Sequence, residues 1–285
     1  MEALTPVQLR AGRWYKRDDL HLGSGGTNGA KLRACQFLVS RERDRGAHTI
    51  VTAASVLSPQ HAIVANVCRE LGMESHHIVG ATNDTGLLRH PSTRSALEAG
   101  ATFHHIGCAY NASLQPAAER LAATLPDAAV LHYGITTPAS ASPSSVRRFA
   151  EVGGRQVANL PDCVTSLVVP FGSGNSASGV LTGLDMYDRR DVAVKLVGIG
   201  PPRLEWLFSR MERIGVRLGD DITHYDLHSS GFARYSDKMP ETRDGIVFHP
   251  TYEGKVVRFL DNLAPTWWTA RDGTTCMWVV GSPVK

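Results

Sequence analysis

The segment VTSLVVPF (164–171) is apolar almost without interruption and shows no regular polar alternation that would give it a solvent face. A strand of this kind needs cover on both sides, as a central strand of a parallel sheet has between helices. The rest of the chain keeps the matching rhythm. Short apolar or β-branched runs at HTIVTA (48–53), HHIVGA (76–81), TFHHIG (102–107), AVLHY (129–133) and VKLVGI (194–199) alternate with longer helical patterns. That succession predicts an α/β fold.

The helix after the first of these strands is well marked. Ser58 suits an N-cap, Pro59 a first helical position, and Ala62, Ile63, Ala65, Val67, Cys68 and Leu71 supply apolar positions before Gly72 stops it. A second helix is expected over Pro91–Ala99, and the Pro- and Ser-rich PASASPSS (138–145) reads as a connection between two halves.

Composition narrows the function classes. With 285 residues, 42% of them hydrophobic, the chain has enough apolar material for one or two domains with full cores. No apolar run approaches the about 18 to 20 residues of a membrane span, and MEALTPVQLR lacks the apolar stretch of a signal peptide, so a cytoplasmic protein is expected. Five scattered cysteines without a CxxC pair argue against a disulfide framework and a cysteine zinc site. The net charge of +3 fits a small anionic ligand as well as nucleic acid. The clusters Arg41/Arg43/Arg45, Arg147/Arg148 and Arg189/Arg190 read as solvated helix faces. In His76/His77 and His104/His105, neighbours on a strand point to opposite faces, so neither pair chelates a metal by itself, and no metal is expected.

Three segments carry the chemistry. In the first, glycines crowd positions 23–29 before a helix on which Lys31, Ala34, Cys35 and Leu38 fall on one stripe. Desolvation on that face favours a neutral, nucleophilic amine; a lysine snorkelling from the first turn is the plainer alternative. A Walker-type phosphate loop is excluded, because Ala30 and Leu32 stand where glycine and Ser or Thr are required. In the second segment the buried strand runs into GSGNSASG (172–179) and a helix. Its backbone amides and the hydroxyls of Ser173 and Ser176 suit a phosphate monoester, the alternative being a tight turn with an N-cap serine. In the third, PTYEGKVVRFL, Tyr252 and Glu253 precede a helix whose apolar face is Val256, Val257, Leu260 and Leu263. A phenol beside a carboxylate offers a proton donor and an acceptor, although Glu253 also suits a first-turn acid.

The order of these segments resembles pyridoxal 5′-phosphate (PLP) enzymes of fold type II, the tryptophan-synthase-β type. Within that group the resemblance is nearest to 1-aminocyclopropane-1-carboxylate deaminase and D-cysteine desulfhydrase. YKRDDL, the glycine loop and KLRACQFL look like the family's K-R-x-D, glycine loop and K-x-R-K-L-E-x-L pattern. LSPQHAIVANVCRELGM resembles its S-N-x-x-R helix, GSGNSAS its phosphate loop and PTYEGK its D-P-x-Y-[ET]-G-K segment. The similarity spans most of the chain. Pro59 stands where an asparagine usually follows the serine, and Ala34 where a second lysine usually stands.

The resemblance implies two three-layer αβα domains with mostly parallel sheets: a large PLP-binding domain from residues 1–49 plus 142–285, and a small inserted βα domain over 50–141. It implies that Lys31 carries PLP as a Schiff base, that Gly172, Ser173, Gly174, Asn175, Ser176 and Ala177 hold the phosphate, and that Glu253 faces the ring nitrogen. Ser58 and Tyr252 would serve in catalysis, and Ser58, Gln60, His61 and Tyr252 would contact substrate. The expected activity is a lyase or deaminase-like carbanion reaction on an amino-acid-type substrate, in a homodimer. One alternative is a PLP enzyme that remodels an amino-acid group attached to a modified thymine in phage DNA; its motives are the altered substrate loop, the arginine clusters, the mild basicity and the compact length. Another is a catalytically silent binding scaffold.

Overall fold

The computed structural model describes residues 3–108, 110–200, 202–265 and 274–283. In chain order the elements are β1 (Val7–Arg10), β2 (Arg13–Arg17), α1 (Gly29–Asp44), β3 (Thr49–Ala53), α2 (Gln60–Glu70), β4 (Glu74–Gly80), α3 (Asp84–Leu88), α4 (Pro91–Glu98), β5 (Thr102–Ile106), α5 (Asn111–Ala122) and β6 (Ala128–Leu131). There follow α6 (Pro143–Gly154), β7 (Ser166–Phe171), α7 (Asn175–Met186), β8 (Ala193–Gly198), α8 (Leu204–Arg213), β9 (Ile222–Asp226), β10 (Glu241–Arg243), β11 (Ile246–Phe248), α9 (Glu253–Asn262) and β12 (Thr275–Val279). Among the described residues no helix is long and apolar enough to cross a membrane.

The chain divides into two compact units, one from the N-terminal segment to His21 together with Ser142–Pro283, the other from Leu22–Ala141. The expected break after residue 49 is displaced to residue 21. Helix α1 packs on α2, so residues 22–49, expected in the larger domain, cluster with the smaller one.

The larger unit is built on a six-stranded sheet of order β1-β2-β12-β7-β8-β9, parallel except for the β1–β2 hairpin. That hairpin and β10–β11 each turn on two residues, Ala11-Gly12 and Asp244-Gly245, all at positive φ, as two-residue hairpin turns require. As its apolar run predicts, β7 is central and buried along its whole length. Leu167, Val168 and Val169 are fully enclosed, each side chain contributing roughly 1.5–3 kcal/mol of burial free energy. From β7 the chain winds outward through β8 and β9, whereas β12 and β2 lie on its other side. The direction of winding reverses between β7 and β12, and the crevice outside the carboxyl ends of strands at such a reversal is where α/β sheets bind ligands.

The smaller unit carries a four-stranded, all-parallel sheet of order β5-β4-β3-β6. Val51, Ala53 and Ile78 pack against Leu114, Ala117 and Ala118 of α5, and Ala65 of α2 against Ala96 of α4 and Ala101.

Candidate active site

Strand β7 leaves the sheet at its carboxyl edge into Gly172-Ser173-Gly174, and α7 starts at Asn175. Gly174 has φ 86°, and a side chain there would strike the Trp206 ring, so the position needs glycine twice over. The first turn of a helix presents backbone amides without intrahelical acceptors, so the Ser176 and Ala177 amides are of the kind that suits an anion. Ser173, Asn175 and Ser176 are half-buried beside it. Helix α7 is held close to α6 by a glycine seam, in which Gly179 lies closely against Gly153, and Gly183 faces Gly154 with no room for a Cβ.

Glu253, the first residue of α9, is fully buried. Its Oε1 accepts the amides of Val280 and Gly281, both at 3.1 Å, just past the end of β12. Since β12 pairs with β7, this carboxyl lies at the same edge of the sheet as the glycine loop. Its Oε2 is buried with no hydrogen-bond partner among the described residues. Burial pushes the carboxyl up to about 8 against the pull of the Gly281 and Val280 amides, so it is largely protonated at neutral pH.

The rest of the YEGK segment is explained by its neighbours. The Tyr252 ring lies tilted against that of His249, with 4.6 Å between centroids, and its hydroxyl lies 3.3 Å from that of Tyr235. A Cβ on Gly254 would strike the carbonyl oxygen of Met239. The Lys255 ammonium donates to the carbonyls of Arg234 at 2.7 Å and Tyr235 at 2.9 Å, tying the segment after β9 over the start of α9. Tyr235, partly exposed, was not singled out from the sequence, because it lies in an aperiodic Gly- and Ser-containing stretch with no motif.

In the smaller unit, Lys31 occupies the first turn of α1. Cys35 and Leu38 of its stripe are buried, but Lys31 and Ala34 are only half-buried, short of the enclosure that the stripe predicts. The loop before it is anchored to two helices. Ser95 donates to the Gly25 carbonyl at 3.1 Å, the Ser24 amide donates to Glu70, and a Cβ on Gly25 would strike Asn66 and Ser95.

Helix α2 begins one residue later than its sequence signals predict, with Pro59 at the N-cap and Ser58 outside it. Ser58 Oγ accepts the Gln60 amide at 3.2 Å. Ser92 donates to the Ser58 carbonyl at 2.6 Å and accepts the Ala62 amide at 3.2 Å. The helix end expected to receive a substrate carboxylate thus has two of its first amides satisfied from within.

Gln60 and His61, expected to contact substrate, both turn their side chains inward. Gln60 is buried, donates to Thr52 Oγ1 at 2.7 Å and accepts the Gly134 amide at 2.8 Å, bracing β3 against the segment after β6. His61 is fully buried with its Nδ1 3.0 Å from that of His77, both rings lying near Phe103. Burial pushes His61 down to about 4 and His77 well below the usual histidine range. Their burial follows from helical and strand phase, which the sequence motif does not report. On the other face of β4, His76 stacks on His104 with a 2.9 Å hydrogen bond.

Apart from Arg148, which is exposed, the arginine clusters are occupied locally. Arg41 and Arg45 meet Glu42, Arg43 meets Asp44, Arg147 meets Glu151, Arg189 bonds the carbonyls of Pro161 and Val164, and Arg190 meets Asp188. They no longer motivate a nucleic-acid reading.

A family model described as "Pyridoxal-phosphate dependent enzyme" matches residues 3–232. The chain belongs to the PLP-dependent enzyme family. Among curated relatives it is 30% identical, over 94% of its own length and 78% of the relative's, to the O-seryl-dTMP PLP-dependent decarboxylase of Salmonella phage ViI. A Pyrococcus horikoshii protein provisionally named a 1-aminocyclopropane-1-carboxylate deaminase is 24% identical over 91% of this chain and 84% of that one. Among solved structures, an ACC deaminase homologue covers 99% of this chain and 90% of its own with TM-score 0.79 at 20% identity. A PLP-dependent aspartate racemase covers the same shares with TM-score 0.63 at 15% identity. At these identities the structural likeness concerns the tryptophan synthase β-like fold.

The residues fit the PLP cofactor on the chain's own chemistry. Its phosphate finds a counterpart in the glycine loop and α7 amides, and its ring nitrogen in the orphaned Oε2 of Glu253. In the smaller unit, Lys31 at the start of α1 carries the kind of amine that an aldehyde requires.

Proposed function

We propose that this PLP-dependent enzyme is a decarboxylase acting on a seryl group carried by a thymine nucleotide, rather than a deaminase of free amino acids. The observation that carries this reading is the 30% identity, over 94% of the chain, to a phage decarboxylase of O-seryl-dTMP. A seryl group joined through its oxygen keeps its α-amine and α-carboxylate. The reaction breaks the bond from the α-carbon to the carboxylate, releases carbon dioxide, and takes up one proton at the α-carbon to leave an aminoethyl ether.

When bound, PLP supplies a carbonyl for the substrate amine and a protonated ring that accepts the electron pair left on the α-carbon. Lys31 would hold that carbonyl, and its freed amine would be the group that returns a proton to the α-carbon. Residues Gly172–Ala177 hold the phosphate through backbone amides and the Ser173 and Ser176 hydroxyls. Glu253 holds the proton at the ring nitrogen, its Oε1 fixed by the Val280 and Gly281 amides. Tyr252, with Tyr235 beside it, and Ser58 offer hydroxyls to the substrate. Gln60 and His61 shape the smaller unit from within and do not touch substrate through their side chains.

The start of α2 supports loss of the carboxylate. A carboxylate gripped by several helix amides is stabilised as an anion and departs reluctantly as neutral carbon dioxide. Here Pro59 has no amide hydrogen, and the Gln60 and Ala62 amides are taken by Ser58 and Ser92. A nucleotide-borne substrate is supported by Arg203, Arg234 and Lys238, which follow β8 and β9 and stand exposed. None has a side-chain hydrogen bond or ion pair among the described residues.

The test incubates the PLP-loaded protein with O-seryl-dTMP, with a short DNA strand carrying the same group, and with free serine and 1-aminocyclopropane-1-carboxylate. Mass spectrometry is expected to find loss of carbon dioxide with the amine retained on a nucleotide substrate. Ammonia release from a free amino acid, with the nucleotides unchanged, overturns the reading.

A further inference from the structure

Behind the glycine loop lies a cation that no carboxylate among the described residues neutralises. Trp206 of α8 rests against Gly174, its Cε3 3.0 Å from where a Cβ would stand. One turn along the same helix, the Arg210 guanidinium carbon lies 5.2 Å from the centre of the Trp206 ring and 5.7 Å from that of Phe149 in α6. The guanidinium is thus sandwiched between two aromatic faces, an arrangement that attracts a cation.

Stacking explains where Arg210 sits but not its hydrogen bonds. Its Nε and Nη2 are buried with no partner among the described residues. Burial, with a smaller contribution from Arg213, pulls Arg210 down to about 10, which leaves it charged at neutral pH. A partly desolvated cation with orphaned donors is costly unless an anion compensates it. No ion pair of Arg210 is found among the described residues. The start of α7 meets the same Trp206 ring, at Gly174.

We propose that Arg210 is the electrostatic counterweight of the phosphate held by Gly172–Ala177, acting across Trp206 as a positioning residue without touching the phosphate. This rests on the reading of that loop as the cofactor's phosphate site. Trp206 then has two functions: it walls the loop at Gly174, and it keeps the guanidinium dry enough for its field to reach the anion with little screening.

The experiment compares the affinity of the apo-protein for PLP and for pyridoxal, which lacks the phosphate, by titrating the visible absorbance of the Schiff base. The proteins are wild type, Arg210→Met and Arg210→Lys. Arg210→Met is expected to weaken PLP binding about tenfold and leave pyridoxal binding within about twofold, while Arg210→Lys keeps most of the PLP affinity. Equal weakening of both ligands, or no change in either, overturns the proposal. If Arg210→Met does not fold, Arg210→Gln makes the same comparison with an uncharged side chain that keeps hydrogen-bonding groups. A wild-type protein that binds pyridoxal and PLP equally sinks the phosphate reading of the loop itself, and the role of Arg210 with it.

Discussion

Glu253 is bonded to Gly281 through one carboxyl oxygen and keeps the other buried without a partner among the described residues. In the apo-protein this makes stability depend on pH. The folded carboxyl titrates near 8 instead of the usual 4.5, chiefly through burial, so the folded state binds the proton more tightly than the unfolded one. The stabilisation is full below pH 4.5 and is lost as pH rises toward 8, at up to about 1.4 kcal/mol per pH unit within that window. Melting curves of apo wild type are expected to shift down between pH 5 and pH 8 more than those of Glu253→Gln, whose side chain does not titrate. Parallel curves count against a raised Glu253. With PLP and substrate, Glu253→Gln should lower turnover by roughly 100-fold, because an amide does not hold the ring's proton.

The two ends of this site differ in how far they could be read from sequence. Glu253, Lys31 and Gly172–Ala177 sit in segments where glycine spacing or a short motif reports the local chain path. Gln60 and His61 lie in an equally recognisable segment, yet both side chains point inward, to Thr52 and His77. Motif spacing places a backbone but does not say which way a helix is rolled against its sheet. Trp206 and Arg210 matter through contacts with Gly174 and Phe149, 32 and 61 positions away in the chain, and Tyr235 through one with Tyr252, 17 positions away. No periodicity encodes such meetings. The two compact units divide at residue 21 for the same reason: the packing of α1 on α2 is a tertiary contact, while the helix itself is legible in the sequence.

Gly174 faces two independent obstacles to substitution. Its φ of 86° costs an L-residue about 1–2 kcal/mol, and any Cβ meets Trp206. Gly174→Ala is expected to lower the melting temperature and abolish saturable PLP binding. Trp206→Ala should remove the collision but not the backbone strain. The double variant Gly174→Ala/Trp206→Ala is therefore expected to be more stable than the sum of the two single losses. Strict additivity in calorimetry rules out the contact as the main obstacle.

Ser92 holds two ends of the turn that precedes α2, donating to Ser58 and accepting from Ala62. Ser92→Ala leaves a carbonyl and a helix amide unsatisfied in a site with little water, a loss of about 1–3 kcal/mol. The melting temperature should fall by several degrees, and kcat should fall along with it because Ser58 loses its anchor. Ser92→Thr, which keeps the hydroxyl, is expected to recover part of both. A variant that loses stability but keeps full kcat shows that the position of Ser58 does not depend on this bond.

His61 and His77 impose the opposite pH dependence from Glu253. Both are buried and held neutral, His61 titrating near 4 in the folded state against 6.5 when exposed. Above pH 6.5 neither state is protonated and the pair is harmless. As pH falls from 6.5 toward 4 the unfolded chain gains protons that the folded chain refuses, and stability is lost. The two rings share one hydrogen bond, so protonating either removes an acceptor and places a charge beside Phe103. His61→Gln, which retains a polar group without titrating near neutrality, should flatten the acid side of the stability profile between pH 6.5 and 4. The alkaline side, set by Glu253, should be unchanged. Amide hydrogen exchange separates the two effects. Acid-induced loss of protection should begin in β3, α2 and β4 around the histidine pair, whereas loss on raising the pH should begin in α9 and at the end of β12. Exchange that begins in the same segments at both extremes contradicts this assignment.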